Sequence, residues 1–106
     1  DLADAHIRAL EYIQRESITC NLGTQRGYSV LEVIQAARAI TGKSIPVQEA
    51  PRRLGDPPRL IASAEKAQRM LGWRPRFVDI NEIIKTAWQW FINHPQGYDK
   101  TGTKQP

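Results

Sequence analysis

The chain has 106 residues, 41% apolar and 25% charged, with a net charge of +4, the balance of one small globular domain. No apolar run approaches the roughly 20 residues that cross a bilayer, and the acidic opening from Asp1 lacks the basic-then-apolar pattern of a secretory leader. The basic residues are scattered, with no basic helix face and no nucleic-acid motif, so nucleic acid and membrane are not expected partners.

Residues 2–13 recur apolar at helical spacing through Leu2, Ala9, Leu10 and Ile13, with Asp1 placed to cap the first turn. The run ITCNL, residues 18–22, is short and apolar and reads as a buried strand. It holds Cys20, the only cysteine. No internal disulfide can therefore form, and Cys20 reads as a small buried hydrophobe. Gly23 and Gly27 then break the pattern. Ser29 followed by Glu32 forms a capping box for a helix through Val30, Val33, Ile34, Ala37 and Ile40, which Gly42 ends in the left-handed conformation.

IPVQEA, residues 45–50, alternates apolar and polar as a strand does, and RLIA, residues 59–62, reads as one more. Ser63 opens a short helix closed by Gly72. Asp79 and Glu82 form a second capping box, for a helix from Ile80 with Ile83, Ile84, Ala87, Trp88 and Phe91 on its apolar stripe. Pro95 ends that helix at His94. The tail, residues 99–106, is polar and reads as flexible. The expected fold is therefore α/β: helix-rich with a few short strands, too few to close a sheet unaided. The abrupt helical opening and the small sheet both point to a piece of something longer.

The chemistry concentrates in APRRLGDP, residues 50–57. Arg52 and Arg53 present forked donors that match phosphate oxygens. Gly55 permits a tight turn, and Asp56 is an acceptor suited to the vicinal hydroxyls of a ribose. That set fits a bound nucleotide. From these residues alone the simpler reading, an ion pair across a charged turn that contributes little, is the favoured one. NLGTQRG, residues 21–27, matches neither phosphate-loop pattern and reads as a sharp turn. His6 and His94 have no metal-spaced companions. Trp73, Trp88, Trp90 and Phe91 read as core aromatics joining the last helix to its neighbours. No catalytic triad or nucleophile elbow is present.

The phrases NLGTQRGYSV, APRRLGD, LGWRP and HPQGY, in this order, resemble the closing third of the UDP-glucose 4-epimerases, within the extended short-chain dehydrogenase/reductases. The likeness runs from Asp1 to about Tyr98. It implies that residues 1–98 are a C-terminal UDP-sugar-binding segment. Arg53 would meet the diphosphate and Asp56 the uridine ribose, while Val30 would pack beside the nucleoside. Leu60 would occupy the place whose side-chain size varies with tolerance for N-acetylated sugars, so the parent enzyme is expected to accept UDP-N-acetylhexosamines.

The family's chemistry is reversible oxidation at the sugar C4 by bound NAD, which needs a Rossmann glycine fingerprint and a Tyr-x-x-x-Lys pair. Neither occurs in the sequence. The NAD-binding Rossmann portion and the catalytic residues are thus expected elsewhere, and this chain alone is expected to be inactive, without cofactor, cytoplasmic, and self-associating through faces such as Leu2, Ile7, Leu10 and Ile18. Two alternatives stand beside this reading: a segment of a related UDP-sugar epimerase or dehydratase, and a non-catalytic nucleotide- or protein-binding module.

Overall fold

The computed structural model describes residues 1–98; the tail expected at 99–106 lies outside the described residues. Among the described residues four helices follow one another: α1 Leu2–Tyr12, α2 Val30–Thr41, α3 Glu65–Leu71 and α4 Ile80–Asn93. They pack as two pairs, α1 with α3 and α2 with α4.

Local chemistry sets the ends of α2. The Ser29 hydroxyl accepts from the Glu32 amide at 3.1 Å, and the Ser29 amide donates to the Glu32 carboxylate at 2.6 Å. These bonds satisfy two donors that a helix start otherwise leaves unpaired. Gly42 closes the helix at φ +65°, a conformation that costs glycine little and other residues more. In α4 the Asp79 carboxylate accepts from the Asn81 amide at 2.7 Å. The reciprocal Glu82 bond of the expected second box is not made among the described residues, so Asp79 alone caps this helix.

Asp1 does not cap α1 through its side chain. Its carboxylate instead accepts from the backbone amides of Arg76 and Phe77 at 3.0 and 2.9 Å, and its carbonyl accepts from the Trp73 indole at 3.0 Å. Near the other end of α1, Arg8 pairs with Asp4 at 3.1 Å and donates to the Leu71 and Gly72 carbonyls at the end of α3. Between these two clamps lies the core: Ala5, Ala64, Ala67 and Trp73, with Cys20, Leu22 and Leu71 packed against it.

The helix-rich part of the α/β expectation holds; the few short strands do not form, since no strand is present among the described residues. Strands exist by pairing, and no backbone–backbone hydrogen bond among the described residues joins 18–22, 45–50 and 59–62 to one another; the Ile45 amide reaches only the Lys43 carbonyl, a local turn. The aromatic expectation holds for Trp73, which is buried, and fails for Trp90 and Phe91, which are exposed. Exposed Trp90 stacks on His94, and half-buried Trp88 stacks on Phe91. Cys20 is half-buried rather than buried.

The molecule is open for its mass. A folded 12.0 kDa monomer exposes about 6,000 Å², whereas this chain exposes 9419 Å². Its radius of gyration is 18.0 Å, against about 13 Å for a compact chain of this length. Large apolar side chains on α1 (Leu2, Ile7, Leu10), at its C-cap (Ile13) and on α2 (Val30, Leu31) are exposed.

Candidate nucleotide-sugar site

Residues 46–61 form an exposed arm between α2 and α3. At its tip Gly55 adopts φ +87°, and the Asp56 amide bonds back to the Arg53 carbonyl at 3.4 Å. That turn brings two side chains together: Arg53 Nε donates to Asp56 Oδ2 at 3.1 Å. Both are open to solvent, with 86% of the Arg53 side chain and 46% of the Asp56 side chain exposed. An exposed pair of this kind contributes between nothing and about 1 kcal/mol. Little therefore opposes its opening toward a stronger partner. Arg52, Arg53 and Arg59 outnumber Glu49 and Asp56 along residues 49–59, so the arm favours an anion.

The base of the arm is fixed by close approach. A Cβ placed on Gly23 would lie 2.7 Å from the Ala62 Cβ and 2.8 Å from its carbonyl oxygen, and one on Gly27 would lie 2.6 Å from the Ile61 side chain. Segments 23–27 and 61–62 thus run in contact only because both glycines lack side chains. The sequence pattern had assigned these glycines to a turn alone.

Above this contact lies a cleft of about 320 Å³ whose walls include Tyr28, Ser29, Pro58 and Leu60. Two elements meet there: the start of α2 and the arm. Leu60 stands in its wall, 87% exposed, and Val30, 76% exposed, follows directly on Ser29. Tyr28 was missed by sequence reasoning. Its hydroxyl donates to the Val78 carbonyl at 3.1 Å, and the Arg26 guanidinium lies 5.0 Å from its ring centroid. Its place just before the Ser29 cap was the available signal.

Two ionisable groups are displaced from their ordinary values. Hydrogen bonds from the Ser29 amide and hydroxyl hold the Glu32 carboxyl below the usual glutamate range. The Tyr12 hydroxyl, bonded to Glu16, is raised. Neither is part of a proton-transfer set. No group of His, Cys, Asp and Glu able to hold a metal ion occurs among the described residues.

No family model matches the chain. A UDP-glucose 4-epimerase from Lacticaseibacillus casei is 53% identical over 100 residues, which cover 92% of this chain and 30% of that relative. One from Streptococcus mutans is 52% identical over 101 residues, covering 93% and 30%. A crystal structure of a UDP-glucose 4-epimerase superposes with a TM-score of 0.81 at 44% identity, covering 93% of this chain and 31% of that one. The chain is similar to the C-terminal part of UDP-glucose 4-epimerases. It spans about 30% of the length of these relatives. The 4-epimerase from Bifidobacterium longum, solved in complex with NAD+ and UDP, superposes with a TM-score of 0.78 at 38% identity. No described helix is long and apolar enough to cross a membrane.

Proposed function

We propose that this chain is the UDP-sugar-binding C-terminal part of a NAD-dependent UDP-glucose 4-epimerase, which interconverts UDP-glucose and UDP-galactose. The observation that carries this reading is the arm: Arg53 and Asp56 set 3.1 Å apart and exposed, on a chain about half identical to such enzymes. A diphosphate offers Arg53 more charge and a better-matched fork than one carboxylate does. On binding it takes Arg53 from Asp56, and the released carboxylate accepts from the ribose hydroxyls. Val30 supplies an apolar edge beside the nucleoside, and Leu60 borders the sugar.

The residues present do not fit NAD. The sequence holds no glycine fingerprint and no tyrosine followed four residues later by lysine, so the hydride chemistry is assigned to a Rossmann portion outside this chain. The chain alone is inactive on this reading, and the parent enzyme works in the cytoplasm, where no export is needed to meet its substrate.

The test is a chimera in which residues 1–98 replace the matching segment of the Lacticaseibacillus casei epimerase. An active chimera whose KM for UDP-galactose rises about 10-fold or more with Arg53→Ala supports the proposal, since a hydrogen bond to a charged group contributes about 1.5–3 kcal/mol. A folded chimera indifferent to Arg53→Ala excludes the assigned role of the arm. One active on UDP-glucuronate instead would favour a related epimerase.

A further inference from the structure

Tyr28 stands where the starts of two helices and the base of the arm meet. It directly precedes Ser29, the N-cap of α2, and its hydroxyl donates to the carbonyl of Val78, which directly precedes Asp79, the N-cap of α4. One hydrogen bond of 3.1 Å, spanning 50 residues of sequence, thus ties together the starts of two helices that pack on each other. The ring is half-buried, and the Arg26 guanidinium lies 5.0 Å from its centroid, so both the body and the polar tip of the side chain have partners.

The turn just before Tyr28 is strained. Gln25 adopts φ +61°, a left-handed conformation uncommon for a residue with a side chain. Such a conformation persists only where its surroundings over-determine it. The Thr24 hydroxyl donates to the Arg26 carbonyl across Gln25. Beyond it, Gly27 meets the Ile61 side chain and Tyr28 bonds to Val78. The same residues, Gly27, Tyr28 and Ile61, wall the cleft together with Ser29 and Leu60.

We infer that Tyr28 is a positioning residue for the nucleotide sugar: its bond to Val78 holds the α2 side of the cleft at a fixed distance from Leu60. The role rests on the proposed UDP-sugar reading and adds to it what sets the width of the cleft. With the bond in place, α4 is the frame against which segment 24–29 is held, and Ile61 and Leu60 are seated on Gly27. Without it the segment is free to shift, and the ligand must order the cleft as it binds, which weakens affinity. The Val78 residue is exposed, so water takes the freed carbonyl and stability changes little. Positioning of this kind acts alike on substrate and transition state, and therefore on KM rather than kcat.

Tyr28→Phe, made in the chimera that carries residues 1–98, keeps the ring and removes only the hydroxyl. The expected result is a KM for UDP-galactose raised about 3–10-fold, a kcat within about twofold of the parent chimera, and an unchanged melting temperature. Combined with Leu60→Tyr, the change in KM should differ about threefold or more from the product of the two single changes, because both residues wall one cleft. An unchanged KM, a loss in kcat alone, or changes that simply multiply would overturn the inference. Arg53→Ala in the same chimera separates the two levels. A KM raised by Arg53→Ala and not by Tyr28→Phe removes Tyr28 alone, whereas indifference to Arg53→Ala removes the reading of the arm and this role with it. If the chimera is inactive, amide shifts of the labelled 106-residue chain decide. Tyr28→Phe must then move Leu60 and Ile61 as well as Val78, and shifts confined to the neighbours of residues 28 and 78 overturn the inference.

Discussion

Replacing Trp73 by phenylalanine probes the centre of the fold. Trp73 is the largest fully buried side chain, 2% exposed, and its companions in the core are three alanines. The core is thin, so this one ring supplies most of its apolar contact. The substitution removes the indole donor to the Asp1 carbonyl. That carbonyl keeps the Ala5 amide at 3.1 Å, so the lost bond costs about 1 kcal/mol rather than a full burial penalty. The smaller ring leaves unfilled space for about 1–2 kcal/mol more. The sum is about 2–3 kcal/mol, a fall in melting temperature of roughly 10 °C or more for a domain this size. Circular dichroism in a urea series measures it. Trp90→Phe on the exposed face of α4 is the control and should cost under about 0.5 kcal/mol. Equal losses for Trp73 and Trp90 would refute the placement of the core.

Three further outcomes are expected. Gly23→Ala forces a Cβ against the Ala62 backbone at 2.8 Å and should destabilise by about 1–3 kcal/mol, measured by thermal melting; an unchanged melt would contradict the close approach that seats the arm. Acid should loosen α2. The folded Glu32 carboxyl titrates below its ordinary value, so its capping contribution is present above the unfolded glutamate pKa and is lost as pH falls through the lowered folded one. The Ser29 and Glu32 amide resonances report this loss, and their indifference to acid, or the same acid response in Glu32→Gln, would count against the box. In the active chimera, Leu60→Tyr should lower the rate on UDP-N-acetylglucosamine relative to UDP-glucose, and an unchanged ratio removes Leu60 from the sugar pocket.

The helices were legible because their signals are local. Ser29, Glu32 and Gly42 act within one turn of the element they bound, and all three do so in the structure. Asp1 looked equally local but spends its carboxylate on Arg76 and Phe77, a contact that only the tertiary fold creates. The strands failed for a related reason. The short apolar run 18–22 and the alternation in 45–50 report a preference, but a strand is a pairing, and the described residues hold no strand partner for these segments. At the candidate site, the closeness of Arg53 and Asp56 followed from three-residue spacing around Gly55. The meeting of Leu60 with Tyr28 and Ser29 did not, because it joins residues about thirty apart through a glycine contact that no short-range pattern encodes.

The central claim is that the arm of residues 50–57 binds the nucleotide diphosphate. The most direct measurement is an NMR titration of the isotope-labelled chain with UDP-glucose, repeated with Arg53→Ala. Most of the pocket wall belongs outside this chain on the proposed reading, so binding should be weak, with a Kd of about 1 mM, equivalent to about −4 kcal/mol. The account predicts saturable shifts at Arg53, Gly55, Asp56 and Val30 that Arg53→Ala abolishes. Shifts confined to other residues, or shifts that persist in Arg53→Ala, would contradict it.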